Sequence, residues 1–230
     1  MNILFVCSGN LMRSVISECV LRERARTFLG ESSGVLTTES CGLEAQPDAP
    51  PHDDALLALE HLGVPVCDTG ASRAEEEHMG RCDLAIAMTR QQSYVLANRF
   101  PAHMNKYFSL IEINGAIETL LERREVTVES GDWIADARRM SPGELDLGLR
   151  LAAASLASER REFMKPLAGV PLNIFELLTL FSPCFHQVSG IHDPIGGASS
   201  EKFKCADLLD SEVTLLLRGL LALTCPMGPN

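Results

Sequence analysis

The residues best equipped for chemistry lie together near the N-terminus, in Cys7-Ser8-Gly9-Asn10-Leu11-Met12-Arg13-Ser14. A cysteine thiolate is a strong nucleophile, and a guanidinium grips two oxygens of a phosphate-sized anion at once. Ser8, Gly9 and Asn10 tolerate tight or left-handed turn geometry, so backbone N–H groups between Cys7 and Arg13 can converge on the same anion. Ser14 is placed to hydrogen-bond the thiolate and help it leave later. Together these types point to a nucleophile held under the phosphorus it attacks, with Cys7 and Arg13 catalytic and Ser8, Gly9, Asn10, Leu11, Met12 and Ser14 forming the substrate cradle.

Such a loop needs a rigid element on each side. Ile3, Leu4, Phe5 and Val6 form a continuous apolar run, which reads as a parallel strand buried on both faces and ending at Cys7. After Arg13, the apolar positions Val15, Ile16, Cys19 and Val20 give a helical pattern over 13–28. The anion then sits at a helix N-terminus, whose dipole adds to the positive field of Arg13 and favours the thiolate form of Cys7.

Cys-x5-Arg-Ser at the chain start, after a strand and with Gly9-Asn10 inside the loop, resembles the low-molecular-weight protein tyrosine phosphatases. The resemblance implies a metal-free and cofactor-free phosphatase working through a phosphocysteine intermediate. It also implies a general acid in an Asp-Pro loop, matched here by Asp193-Pro194 within Ser189–Gly197. A carboxyl group there protonates the leaving atom and afterwards deprotonates the water that hydrolyses the intermediate. Asn10 is expected to brace the loop in left-handed geometry. His192, beside the acid, reads as exposed, and His52 and Glu44 are weaker candidates for the site rim.

Several residues depart from the family pattern. Met12 stands where the family often has a second cysteine, so a disulfide with Cys7 is not expected, and Val15 replaces a common proline. The aromatic residues expected to sandwich a phosphotyrosine ring are missing. The Leu43–Asp54 loop has none, and Pro194 is followed by Ile195-Gly196-Gly197. The resemblance therefore implies the catalysis more firmly than it implies tyrosine, and the substrate is either a phosphorylated protein or a small phosphorylated molecule.

Further along, strands are expected at 35–41, 82–89 and 106–113, and helices at about 54–61, 91–99 and 117–124. GVPVCDTGASRA, from Gly63, reads as a connection without chemistry. The alternation gives an α/β fold with a doubly wound four-stranded parallel sheet and helices on both faces. Residues from about 125 to 190 exceed what the family needs before its Asp-Pro loop. They are expected to form a helical insertion, with helices at 142–164 and 172–181, inside a single phosphatase domain spanning 1–230. An amphipathic helix from Ser200 to Leu223 closes the chain.

The charge balance of 20 Lys+Arg against 31 Asp+Glu, a net −11, argues against nucleic acid or an anionic membrane as partner. No secretory signal or apolar membrane span is recognisable, so a cytoplasmic location is the default. The eight cysteines form no metal-ligand pattern, and those other than Cys7 read as buried hydrophobes. The oligomeric state is not legible in the sequence. Two alternative functions use the same loop. Arsenate reduction would need two further thiols within reach of Cys7, but Met88 occupies the neighbouring strand end and Cys82 the opposite end. A non-catalytic phosphate-binding module would keep the loop without the chemistry.

Overall fold

The structure is a computed structural model that describes residues 1–67, 70–129, 132–164, 190–191, 193–195 and 197–225. Four parallel strands form one sheet: β1 (Asn2–Cys7), β2 (Thr37–Gly42), β3 (Leu84–Ala87) and β4 (Tyr107–Ser109), in the order β2-β1-β3-β4. β1 is central, with Val6 paired to Cys41 on one side and Ala87 on the other. Its side chains alternate between two cores. Ile3, Phe5 and Cys7 join one cluster, and Leu4 and Val6 join the other with Tyr107 and Leu96. Burial on both faces explains the uninterrupted apolar run.

Helices α1 (Arg13–Leu29), α2 (Asp53–Leu62), α3 (Glu76–Arg81), α4 (Arg90–Arg99) and α5 (Leu110–Glu122) connect and cover the strands. After them come α6 (Trp133–Arg139), α7 (Pro142–Met164) and α8 (Ser199–Thr224). α8 buries Leu209, Val213, Leu216, Leu217, Leu220 and Leu221 against the core, whereas Leu208 is exposed. Among the described residues, no helix is long and apolar enough to cross a membrane.

Some boundaries differ from the sequence expectation. The strand expected over 106–113 stops at Ser109, because Ser109 and Glu112 form a capping box that starts α5 there. Leu110, Ile113, Ile117 and Leu121 are the buried stripe of that helix, so the three-and-four spacing prevails over the local alternation of Leu110 to Ile113. The strand expected over 82–89 is likewise shorter, since Thr89 caps α4 with Gln92. α3 and α6 were not expected.

Within the 125–190 stretch, α7 occupies the expected 142–164, while the helix expected at 172–181 lies outside the described residues. The first half of α7 lies at the amino edge of the sheet, opposite Cys7. Asp146 pairs with the Met1 ammonium at 2.6 Å, and Arg150 with Asp83 at 3.2 Å.

Candidate active site

β1 ends at Cys7 on the carboxyl edge of the sheet, where ligands bind in open α/β folds, and α1 begins at Arg13. The five residues between them form a loop that bends around the sulfur. Asn10 N–H donates to Cys7 Sγ at 3.2 Å, and Ser14 Oγ lies 3.0 Å from the same atom.

Asn10 holds this arrangement. Its φ of 55° is left-handed, which asparagine tolerates better than most residues. Its Nδ2 donates to Ser14 Oγ at 3.0 Å and to Ser40 Oγ at 2.9 Å, while its Oδ1 accepts from Ser72 N–H at 2.8 Å. Behind Ser40 lies Glu18, only 1% exposed. Burial pushes the Glu18 carboxyl above its ordinary value, opposed by a hydrogen bond with Ser40 and by the Arg22 guanidinium.

The outer side of the loop is tied to its neighbours. Ser8 Oγ accepts from Gln92 Nε2 at 3.0 Å, Ser8 carbonyl from Glu44 N–H at 2.9 Å, and Leu11 carbonyl from His52 N–H at 2.9 Å. Gly42 is required by close approach. A Cβ there would meet Asn10 N and Ser8 O at 2.7 Å and Gly9 C at 2.8 Å, all backbone atoms.

Arg13 is 4% exposed, and its guanidinium points to the downstream loop. Nη1 donates to Ile191 carbonyl at 2.9 Å and Nη2 to Asp193 Oδ2 at 2.5 Å. That loop is anchored in turn by Ile191 N–H donating to Met88 carbonyl at 2.8 Å. Gly190 pairs with Thr89 at φ 117°, where a side chain would strike Met88 O and Thr89 Cα at 2.6 Å. Thus a thiol, a guanidinium and a carboxyl group from positions 7, 13 and 193 lie at one sheet edge.

The family model for low molecular weight phosphotyrosine protein phosphatases matches residues 2–122, just over half of the chain. The chain belongs to this family. Among curated relatives, the protein-arginine-phosphatase of Bacillus subtilis (strain 168) is 29% identical over 165 residues, covering 70% of this chain and all of the relative. The low molecular weight protein-tyrosine-phosphatase Ptp of Acinetobacter johnsonii is 27% identical over 109 residues, 47% of this chain and 71% of the relative. A YwlE mutant from Bacillus subtilis shares the fold with a TM-score of 0.55 at 21% identity, covering 94% of this chain and 95% of that one. The low molecular weight phosphatase from T. tengcongensis does so with a TM-score of 0.56 at 17% identity, covering 94% and 97%. The family and its named relatives make this chain a cysteine-dependent phosphatase.

In this phosphatase Cys7, Asn10, Arg13, Ser14 and Asp193 come together. The Met12 side chain is 1% exposed in the core, so it is the Met12 backbone that lines the loop. His52 braces the loop through its backbone, while its ring accepts from Asp54 N–H at 3.2 Å and caps α2. Glu44 also contributes a backbone N–H, and His192 lies outside the described residues. The GVPVCDTGASRA segment requires correction. Ser72 from it holds Asn10, and Arg73 pairs with Gly42. Sequence reasoning also missed Glu18, Ser40, Gly42 and Gln92. Of these, only Gly42, the last residue of β2, carried a local signal.

Proposed function

We propose that this chain removes phosphoryl groups from phosphorylated protein side chains through a phosphocysteine at Cys7, with phosphoarginine favoured over phosphotyrosine. The observation that supports the reaction most is the contact of Cys7 Sγ with Asn10 N–H and Ser14 Oγ, beside the Arg13–Asp193 pair. In the proposed sequence the Cys7 thiolate attacks phosphorus while Arg13 and the N–H groups of Ser8 to Arg13 hold the non-bridging oxygens. Asp193 gives its proton to the leaving atom. As carboxylate it then takes a proton from the water that cleaves the S–P bond, releasing phosphate and restoring Cys7.

Three features support arginine as the carrier. The chain spans the full length of the protein-arginine-phosphatase it resembles. The Leu43–Asp54 loop, which hydrogen-bonds the cradle, lacks aromatic residues. The same loop carries exposed Glu44 and Asp48, which suit a cationic guanidinium better than a phenol ring. Residues 125–190 belong to the same proposed single domain as an insertion. The test is kcat/KM on two peptides of one sequence carrying either phosphoarginine or phosphotyrosine. A clear preference for phosphoarginine is expected, and a preference for phosphotyrosine would overturn the substrate assignment while leaving the reaction standing.

A further inference from the structure

Outside the phosphate site, two thiols meet across elements distant in sequence. Cys19 lies on α1, and Cys67 lies in the segment between α2 and α3 that leads to Ser72. Both are reduced, and Cys67 N–H donates to Cys19 Sγ at 3.0 Å. This contact sets the two thiol-bearing residues side by side. We propose that Cys19 and Cys67 form a peroxide-responsive dithiol, a modification site separate from Cys7 that closes to a disulfide.

The two sulfurs are unequal. The hydrogen bond from Cys19, aided by the Arg22 guanidinium, pulls the Cys67 thiol below its ordinary value, and the same hydrogen bond together with burial pushes Cys19 up. Cys67 is also the more accessible, at 6% exposed against 1%, and follows the half-exposed Val66. By contrast, burial pushes the Cys41, Cys82, Cys205 and Cys225 thiols up. Cys67 is therefore the attacking sulfur and Cys19 the resolving one.

The chemistry balances with a hydroperoxide as oxidant. The Cys67 thiolate attacks the outer peroxide oxygen, the O–O bond breaks, and the released alkoxide or hydroxide takes up a proton, leaving Cys67 as sulfenic acid. Cys19 sulfur then attacks Cys67 sulfur, its proton leaves with the hydroxyl group as water, and the S–S bond forms. Two thiols and one peroxide give one disulfide, one alcohol or water, and one further water. The bond links positions 48 residues apart, enclosing β2 and α2. It ties α1 to the segment whose Ser72 supports Asn10, so oxidation reinforces the framework of the phosphate loop.

The experiment uses the full chain carrying Cys7→Ser, which removes the competing nucleophile. After hydrogen peroxide treatment, remaining thiols are alkylated under denaturing conditions and the chain is digested without reductant. Trypsin combined with an Asp-specific protease separates Cys19, Cys41 and Cys67. The expected product is a Cys19–Cys67 linked peptide two hydrogens lighter than its parts, lost on reduction. It should accompany a Tm rise of roughly 5–10 °C, absent in Cys67→Ala. Recovery of both cysteines in alkylated form, Cys67 oxidised without a link, or links scattered over other cysteines would each overturn the proposal. The map is read with native residues at 19 and 67, so it does not depend on the folding of Cys67→Ala.

Discussion

Arg13 and Asp193, 180 positions apart, are in direct contact, with Nη2 donating to Oδ2 at 2.5 Å. The arginine is buried and the carboxylate 40% exposed on its side chain. In the proposed reaction an incoming phosphoryl group would compete with Asp193 for the guanidinium. Solvent screening at the exposed carboxylate limits the pair to about 1 kcal/mol or less.

For Asp193→Asn the two roles separate. Inorganic phosphate should bind no more than about five-fold tighter, because one competitor is removed. Turnover should fall by about 10²–10⁴ on substrates with poor leaving groups and far less on activated aryl phosphates. Equal losses on both substrate types would take Asp193 out of the acid role.

Arg13→Lys keeps the charge but not the fork. An ammonium cannot serve Ile191 carbonyl, Asp193 and a phosphoryl group with the planar geometry of Arg13. We expect kcat/KM to drop by about 10²–10³. A drop of less than about five-fold, measured with an aryl phosphate, would show that bidentate binding is unimportant here.

Gly42→Ala tests the back wall of the cradle. Its new methyl would meet three backbone atoms of the loop at 2.7 to 2.8 Å, so the loop must shift. Activity should fall at least about tenfold, with circular dichroism unchanged. Wild-type kinetics in a folded Gly42→Ala protein would mean that the loop tolerates displacement.

The buried Glu18 carboxyl gives a pH signature. Its value in the folded protein is raised, chiefly by burial, above the unfolded 4.5. Between those two values the folded state holds the extra proton, so this group's contribution to stability is full below 4.5 and declines as pH rises through the folded value. Chemical denaturation from acid to neutral pH should show that decline in the wild-type protein, relative to Glu18→Gln. Parallel curves for the two proteins would remove the assignment.

The sequence made the catalytic loop legible because its chemistry is contiguous. Cys7 touches Ser14, and Arg13 directly precedes Ser14, all within a single turn between a strand and a helix. The braces were hidden for the opposite reason. Ser40, Ser72 and Gln92 reach the loop through one polar atom each, from segments whose local pattern announces only a strand end, a connection and a helix start. Glu18 sits in an amphipathic helix where a carboxylate normally faces water, and only the tertiary packing buries it. The parallel four-stranded sheet followed from alternation, whereas β4 is shorter than expected because the cap at Ser109 resembles strand continuation.

In the proposed reaction the phosphoryl group passes through Cys7. The most direct measurement here is mass spectrometry of this chain after acid quench during turnover, alongside the Cys7→Ser chain incubated with the same phosphoarginyl peptide. The account predicts a phosphoryl group on the Cys7 peptide of the wild-type chain, and acid-stable phosphoserine at position 7 with turnover abolished in the variant. Unmodified peptides in both, with substrate still consumed by Cys7→Ser, would contradict it.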